Sequence, residues 1–226
     1  MIPDAPLFFP LFDYAQTHSF LGVFSVCMPL GVSFFLLFEM VCRRPLLALS
    51  PTWLQLRLPA SPQIPSVPKL HVQISFYFVV ACSVVLGALS HQFWDAFTHE
   101  GRWGTELVPA LNSTYTILGR PIGGCKLLQY GSTLVGLPVL VILVWNYLRG
   151  LEPRHNQLLT VNKKCKWSAA LVCTLTPAVL AIYSFVTQPN IYQAVGATIK
   201  TSGATIAILA IVYSIGHQIT TQNSDA

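Results

Sequence analysis

The residues best suited to chemistry lie in one short run, Ser90-His91-Gln92-Phe93-Trp94-Asp95-Ala96-Phe97-Thr98-His99. His91, Asp95 and His99 are spaced i, i+4, i+8, which puts them within about 80° of one another on a helical wheel. A second polar group, Asp4, Asp13, Thr17 and His18, precedes the first long apolar stretch. Imidazole and carboxylate together suit a first-row divalent metal such as zinc, manganese or iron. The expected ligands are His18, His91, Asp95, His99 and Asp4. His91 and His99 stand about 12 Å apart along a straight helix. All three residues of the run can therefore share one ion only if the helix breaks before His99; otherwise Asp95 would lie between two ions. Arg102 follows directly and could hold an anionic substrate or be a solvated loop residue. No single His or Asp at a helix end would carry this reading, because such residues commonly cap helices or bind neighbouring ones. Several of them at one depth make a site.

The elements that must position these residues follow from composition. The chain has 226 residues, of which 53% are hydrophobic and only 9% charged, with a mean hydropathy of +0.58. Soluble domains carry about a quarter charged residues, so this composition excludes a soluble enzyme, a disordered chain and a coiled coil. It predicts an all-α integral membrane helical bundle. Five windows reach the ~20 apolar residues that a spanning helix needs: Ser19 to Val41, Val72 to His91, Gln129 to Leu148, Trp167 to Val186 and Thr201 to Ile219. Pro29, Pro138 and Pro177 fall inside three of them, where membrane helices tolerate proline.

The 13 Lys+Arg exceed the 8 Asp+Glu. In a membrane protein this excess sets topology and does not imply nucleic acid binding. Arg43, Arg44, Arg57, Lys69, Arg149, Arg154, Lys163, Lys164 and Lys166 fall on one side of the predicted spans. That side is expected to be cytoplasmic, with the C-terminus, which puts the N-terminal segment and the His/Asp run together at the outer face. Leu58 to Pro68 reads as a stiff proline-rich linker, and Asn112 to Gly124 as an irregular outer loop. Glu39 and Arg43 are spaced for an i,i+4 pair, and Lys200 reads as the mark of a helix end. The six cysteines form no Cys-x-x-Cys motif and read as free thiols.

Four segments carry a resemblance: Thr17-His18-Ser19-Phe20-Leu21-Gly22, Arg43-Arg44-Pro45-Leu46-Leu47, Gly87-Ala88-Leu89 with the Ser90 to His99 run, and Lys126-Leu127-Leu128-Gln129-Tyr130-Gly131-Ser132. They resemble a bacterial multi-pass membrane family described as a domain of unknown function. The Ser-His-x-x-x-Asp-x-x-Thr-His pattern is also similar to inner-membrane metal-dependent hydrolases and, more distantly, to zinc-dependent phospholipase C-like enzymes. These motifs cover residues 1–149; residues 150–226 add two further transmembrane helices to the same membrane domain and resemble the family only in being hydrophobic. The resemblance implies a bacterial inner-membrane protein in which His18, His91, Asp95, His99 and Asp4 belong to the polar signature. Relatives carry a further segment with an early His before the Pro-Asp that stands here at Pro3-Asp4, so either the true start lies upstream of Met1 or a helix and one candidate ligand are expected to be missing.

Two classes of function follow. One is a metal-dependent hydrolase acting on a membrane-proximal ester or phosphoester, with a divalent metal, zinc being the candidate, activating water. The other is a non-catalytic assembly or transport protein, or a degenerate relative, in which the polar cluster holds helices together.

Overall fold

The structure, a computed structural model, describes residues 2–61, 64–65, 70–117, 119–154, 158–159 and 161–224. Five long helices carry the fold: α1 Phe20–Leu49, α2 Leu70–Thr98, α3 Gly124–Gly150, α4 Lys163–Thr187 and α5 Ile191–Ser224. Each holds a stretch long and apolar enough to cross a membrane. The expected all-α bundle is therefore what the chain forms. A helix buried against protein on one side shows one apolar stripe. On α3, by contrast, successive residues Val139, Leu140, Val141, Ile142, Leu143 and Val144 are all exposed, so this helix is apolar all round and suits a lipid environment rather than water.

The helices run beyond the apolar windows, because backbone hydrogen bonding continues through polar side chains until a breaker is met. α2 continues past His91 to Thr98 and stops just before Gly101, whose φ of 71° lies in the left-handed region open to glycine. His91 and Asp95 thus remain on one rigid element. α5 begins at Ile191, so Lys200 stands within that helix and not at its end, contrary to its sequence reading. α1 contains two π-helical turns, Val23–Cys27 and Phe38–Cys42, with Pro29 just after the first. Pro138 and Pro177 lie inside α3 and α4.

The connection from α2 to α3 differs from the irregular loop expected of it. Thr114–Ile117 (β1) and Arg120–Gly123 (β2) pair antiparallel, with Thr114 opposite Gly123 and Ile117 opposite Arg120. Thr114, Tyr115, Thr116 and Ile117 are β-branched or aromatic and favour the extended backbone. Gly119, at φ 75°, lies in the turn between the strands.

The crossing of α1 and α2 forms the core that supports the site. Val23, Cys27 and Ala88 are buried there, with Ile2, Val85 and Leu89 packed around them. A Cβ on Gly31 would come within 2.5 Å of Val84 Cγ1, so the missing side chain lets the two helices approach, as small residues do at membrane helix contacts. All six cysteines are free.

The opposite end of the bundle collects the basic residues. Arg43 donates Nε–H to Glu39 Oε2 at 2.7 Å and also bonds Glu39 Oε1, a bidentate version of the expected i,i+4 pair. The backbone N–H of Arg154 donates to the Leu56 carbonyl at 2.7 Å, and Lys166 Nζ to the Ser50 carbonyl at 3.4 Å. Arg43, Arg57, Arg154 and Lys166 thus gather around the α1–α2 connection and the start of α4. Lys69 and parts of the proline-rich linker, including Pro62 and Pro68, lie outside the described residues.

Enlarging Gly31 should force α1 and α2 apart. Gly31→Leu is expected to destabilise the protein by about 1–3 kcal/mol through overpacking, read as a lower unfolding midpoint of the detergent-solubilised protein.

Candidate metal centre

Residues 2–18 fold back over the start of α1 through a series of short turns. Ile2–Asp4 forms one 3-10 turn, Ala5–Phe8 and Tyr14–Thr17 one helical turn each. Asp13 caps the last of these by accepting from the Ala15 N–H at 3.1 Å, so its carboxylate serves a helix end and not the site. Ser19 caps α1 by accepting from the Gly22 N–H at 2.9 Å. A Cβ on Gly22 would stand 1.7 Å from the Gln16 carbonyl oxygen, so glycine allows the Tyr14–Thr17 turn to sit directly on α1.

Thr17, fully buried, ties this segment together. Its hydroxyl lies 2.8 Å from the Pro3 carbonyl and 3.0 Å from the Tyr14 carbonyl, sharing its one proton between them. Gln92 on α2 donates its amide to the Thr17 carbonyl at 3.0 Å. Asp4 and His18 are thereby carried onto the face of α2 that presents His91 and Asp95.

The four side chains converge. One ligand atom from each of Asp4, His18, His91 and Asp95 lies within 4.8 Å of the other three. His18 Nε2 is 3.4 Å from Asp4 Oδ1 and 3.6 Å from Asp95 Oδ2; His91 Nε2 is 3.2 Å from Asp4 Oδ2 and 3.4 Å from Asp95 Oδ2. Both Nε2 atoms are buried, and neither has the geometry of a hydrogen bond with these oxygens. The separations instead match the edge of a tetrahedron about a divalent ion. Ligand bonds of about 2.0–2.1 Å imply ligand-to-ligand distances of about 3.3–3.4 Å.

The surroundings orient the ligands. His18 Nδ1 lies 3.0 Å from the Tyr14 carbonyl. A proton on Nδ1 donated to that carbonyl leaves the Nε2 lone pair facing the cluster, the outer-shell arrangement that fixes a metal-binding tautomer. The Tyr14 ring stacks on the His18 ring with centroids 3.8 Å apart, and the His18 and His91 rings meet edge-on at 5.7 Å.

The charges are strongly coupled. Burial raises the Asp4 pKa, but its polar contacts with the His18 and His91 imidazoles outweigh it, and the carboxyl is held well below its usual range. Burial raises the Tyr14 phenol, and the Asp4 and Asp95 charges act the same way, with Arg102 opposing; the phenol therefore keeps its proton as a donor. Two carboxylates in a largely buried space need compensating charge. Either a divalent cation or two protonated imidazoles would supply it.

His99 does not join the four. It follows the end of α2, with Nδ1 3.7 Å from Asp95 Oδ1, the oxygen turned away from His18 and His91. Burial lowers its pKa, with Lys126 and Arg102 pushing the same way against the pull of Asp95, so its imidazole stays neutral to lower pH than a free histidine. Arg102 starts the short helix Trp103–Leu107 and is partly exposed. Its charge acts on both Tyr14 and His99, and among the described residues no carboxylate forms an ion pair with its guanidinium. Sequence reasoning missed Tyr14 and Gln92. A signal was available for the first: Tyr14 stands one helical turn before His18.

The fold and the cluster define an all-α bundle with five membrane-length helices and a candidate metal-binding group at one end. The chain belongs to the family described as domain of unknown function DUF4184, which matches residues 1–220 and so takes in the described length of all five spanning segments. No similarity to a curated protein or to a solved structure was found.

Removing the Gln92 amide should loosen the N-terminal segment without unfolding the bundle. Gln92→Leu is expected to cost about 1–2 kcal/mol locally, measured as faster proteolytic nicking within residues 1–18 at unchanged helical circular dichroism.

Proposed function

We propose that this is a multi-pass protein of the bacterial inner membrane. In it Asp4, His18, His91 and Asp95 hold a divalent cation, with zinc the best fit, at the outer face. The centre serves hydrolysis of a membrane-proximal ester or phosphoester. The observation that carries the reading is the pair of buried, unbonded Nε2 atoms at 3.2–3.6 Å from two carboxylates. Orphaned buried nitrogens are destabilising unless something binds them, and a metal is the partner that two imidazoles and two carboxylates share.

When bound, such an ion activates water and polarises an ester or phosphoryl oxygen. The protein's own groups would do the rest. The Tyr14 phenol stands ready to donate a hydrogen bond to a developing oxyanion. Arg102 offers an unneutralised guanidinium for an anionic substrate. His99, outside the four, supports Asp95 from its other oxygen. Asp4 is the most open of the two acids, with 25% of its side chain exposed against 8% for Asp95, so substrate would approach from the Asp4 side. The topology rests on the basic residues gathered at the end away from the cluster.

The second reading, a polar fastening without chemistry, draws support from the Thr17 and Gln92 bonds that already dock the segment without any ion. Metal analysis separates the two. The purified protein is expected to carry about one zinc or comparable ion per chain. His91→Ala should lose it, and chelation should lower thermal stability of the wild type but not of His91→Ala. Equal and negligible metal in both proteins would overturn the metal centre and leave the fastening.

A further inference from the structure

Beside the cluster lies a cavity of about 900 Å³ that the four ligands do not fill. Asp4 stands on its wall, with Gln129 and Thr133 of α3 and Gln193, Gly196 and Lys200 of α5. Leu7, Phe8 and Ile199 add apolar surface. Lys200 is the residue that the metal centre leaves unexplained. It lies within the membrane-length part of α5, and none of the carboxylates described forms an ion pair with it. Lys200 is exposed on the cavity wall, directly before the apolar window Thr201 to Ile219, and an ionisable side chain on a membrane-length helix is a candidate ligand group.

The cavity has a side open towards the surface of the bundle. α3 packs on α2 and on the Pro109–Asn112 turn, whereas α5 packs on α4, on the Phe38–Leu49 part of α1 and on Ala5–Phe8. The flank of α3 beyond Thr133 is exposed and apolar, with Leu134, Leu137 and Val141 along it. The Lys200 cation, several amide and hydroxyl groups, and an apolar exit between two membrane-length helices together fit an amphiphile with an anionic head, with the Asp4 carboxylate the opposing charge on the same wall.

We propose that this cavity binds a phospholipid bearing a terminal phosphate. Lys200 would hold the phosphoryl oxygens, Gln129 and Gln193 would line the headgroup, and the acyl chains would leave between α3 and α5 into the bilayer. A cavity of this size lies within the range of small-molecule sites and accommodates a headgroup with the first part of its chains. The proposal names the substrate class of the hydrolase reading and rests on it for the reaction. Binding itself depends on Lys200 and the cavity, not on the metal.

Native mass spectrometry of the full chain with dioctanoyl phosphatidic acid, at measured zinc content, tests it. The wild type is expected to form a one-to-one adduct. Lys200→Gln should weaken the adduct about tenfold, as loss of one charge-assisted bond does, and Lys200→Arg should restore most of it. Gly196→Leu is a second variant, since a Cβ there meets no atom within 4 Å; its side chain should fill the cavity and abolish the adduct without unfolding the helix. Dioctanoylglycerol should bind far more weakly, and inorganic phosphate should not compete at equal concentration. An adduct unchanged in both Lys200→Gln and Gly196→Leu overturns the proposal, as does equal binding of dioctanoylglycerol. Equal competition by inorganic phosphate overturns the lipid as the source of the phosphate. If Lys200-dependent binding appears in protein without zinc, the metal reading fails and this one stands. If zinc is held and binding ignores Lys200, only this proposal fails.

Discussion

Two carboxylates and two imidazoles meet in a space that is mostly closed to water, and the charge there must be balanced. Asp95 is 8% exposed at its side chain and His18 4%. Leaving such groups uncompensated would cost several kcal/mol per charge, more than a single helix contact returns. Much of the local architecture serves to bring the four groups to this meeting. The short turns of the N-terminal segment, the buried Thr17 hydroxyl and the Gln92 amide all act on the same few ångströms.

That constraint explains why a segment with little regular structure is held so firmly. Ala5–Phe8 and Tyr14–Thr17 are single turns, too short to be stable alone. Asp13 and Ser19 cap them, Gly22 lets them lie against α1, and the Tyr14 ring covers the His18 imidazole. The residue that supplies the tautomer-fixing carbonyl, Tyr14, also places a protonated phenol beside the acids. One helical turn therefore both orients His18 and supplies the nearby phenol.

The two ends of the bundle have different work. At one end Glu39 and Arg43 pair within α1, and Arg154 and Lys166 bond carbonyls near the α1–α2 connection. At the other, acids and histidines cluster beside a cavity with a single lysine on α5. This uneven distribution of charge is the observation on which the proposed orientation rests.

Apolar length and the i, i+4 pattern were enough to recognise from sequence the five helices, the free cysteines, the Glu39–Arg43 pair and the shared face of His91 and Asp95. Each of these is a local property, set by residues within one or two turns. The approach of Asp4 and His18 was also legible, because the basic loops put both polar groups at one depth. Other features required the folded chain. Whether His99 joins depends on which oxygen of Asp95 faces inward, and that follows from the packing of α2 against the N-terminal turns. Lys200 looked terminal because apolar windows begin after it, yet α5 starts at Ile191, since a helix needs backbone hydrogen bonds and not apolar side chains. The short β-hairpin between α2 and α3 likewise depends on a turn at Gly119 that composition alone does not distinguish from a loop. Sequence determined which residues could bind a metal and that they sit in a helical, apolar chain. Only the tertiary structure decided that four of them point at one centre, because ligand convergence depends on side-chain direction across elements distant in the chain.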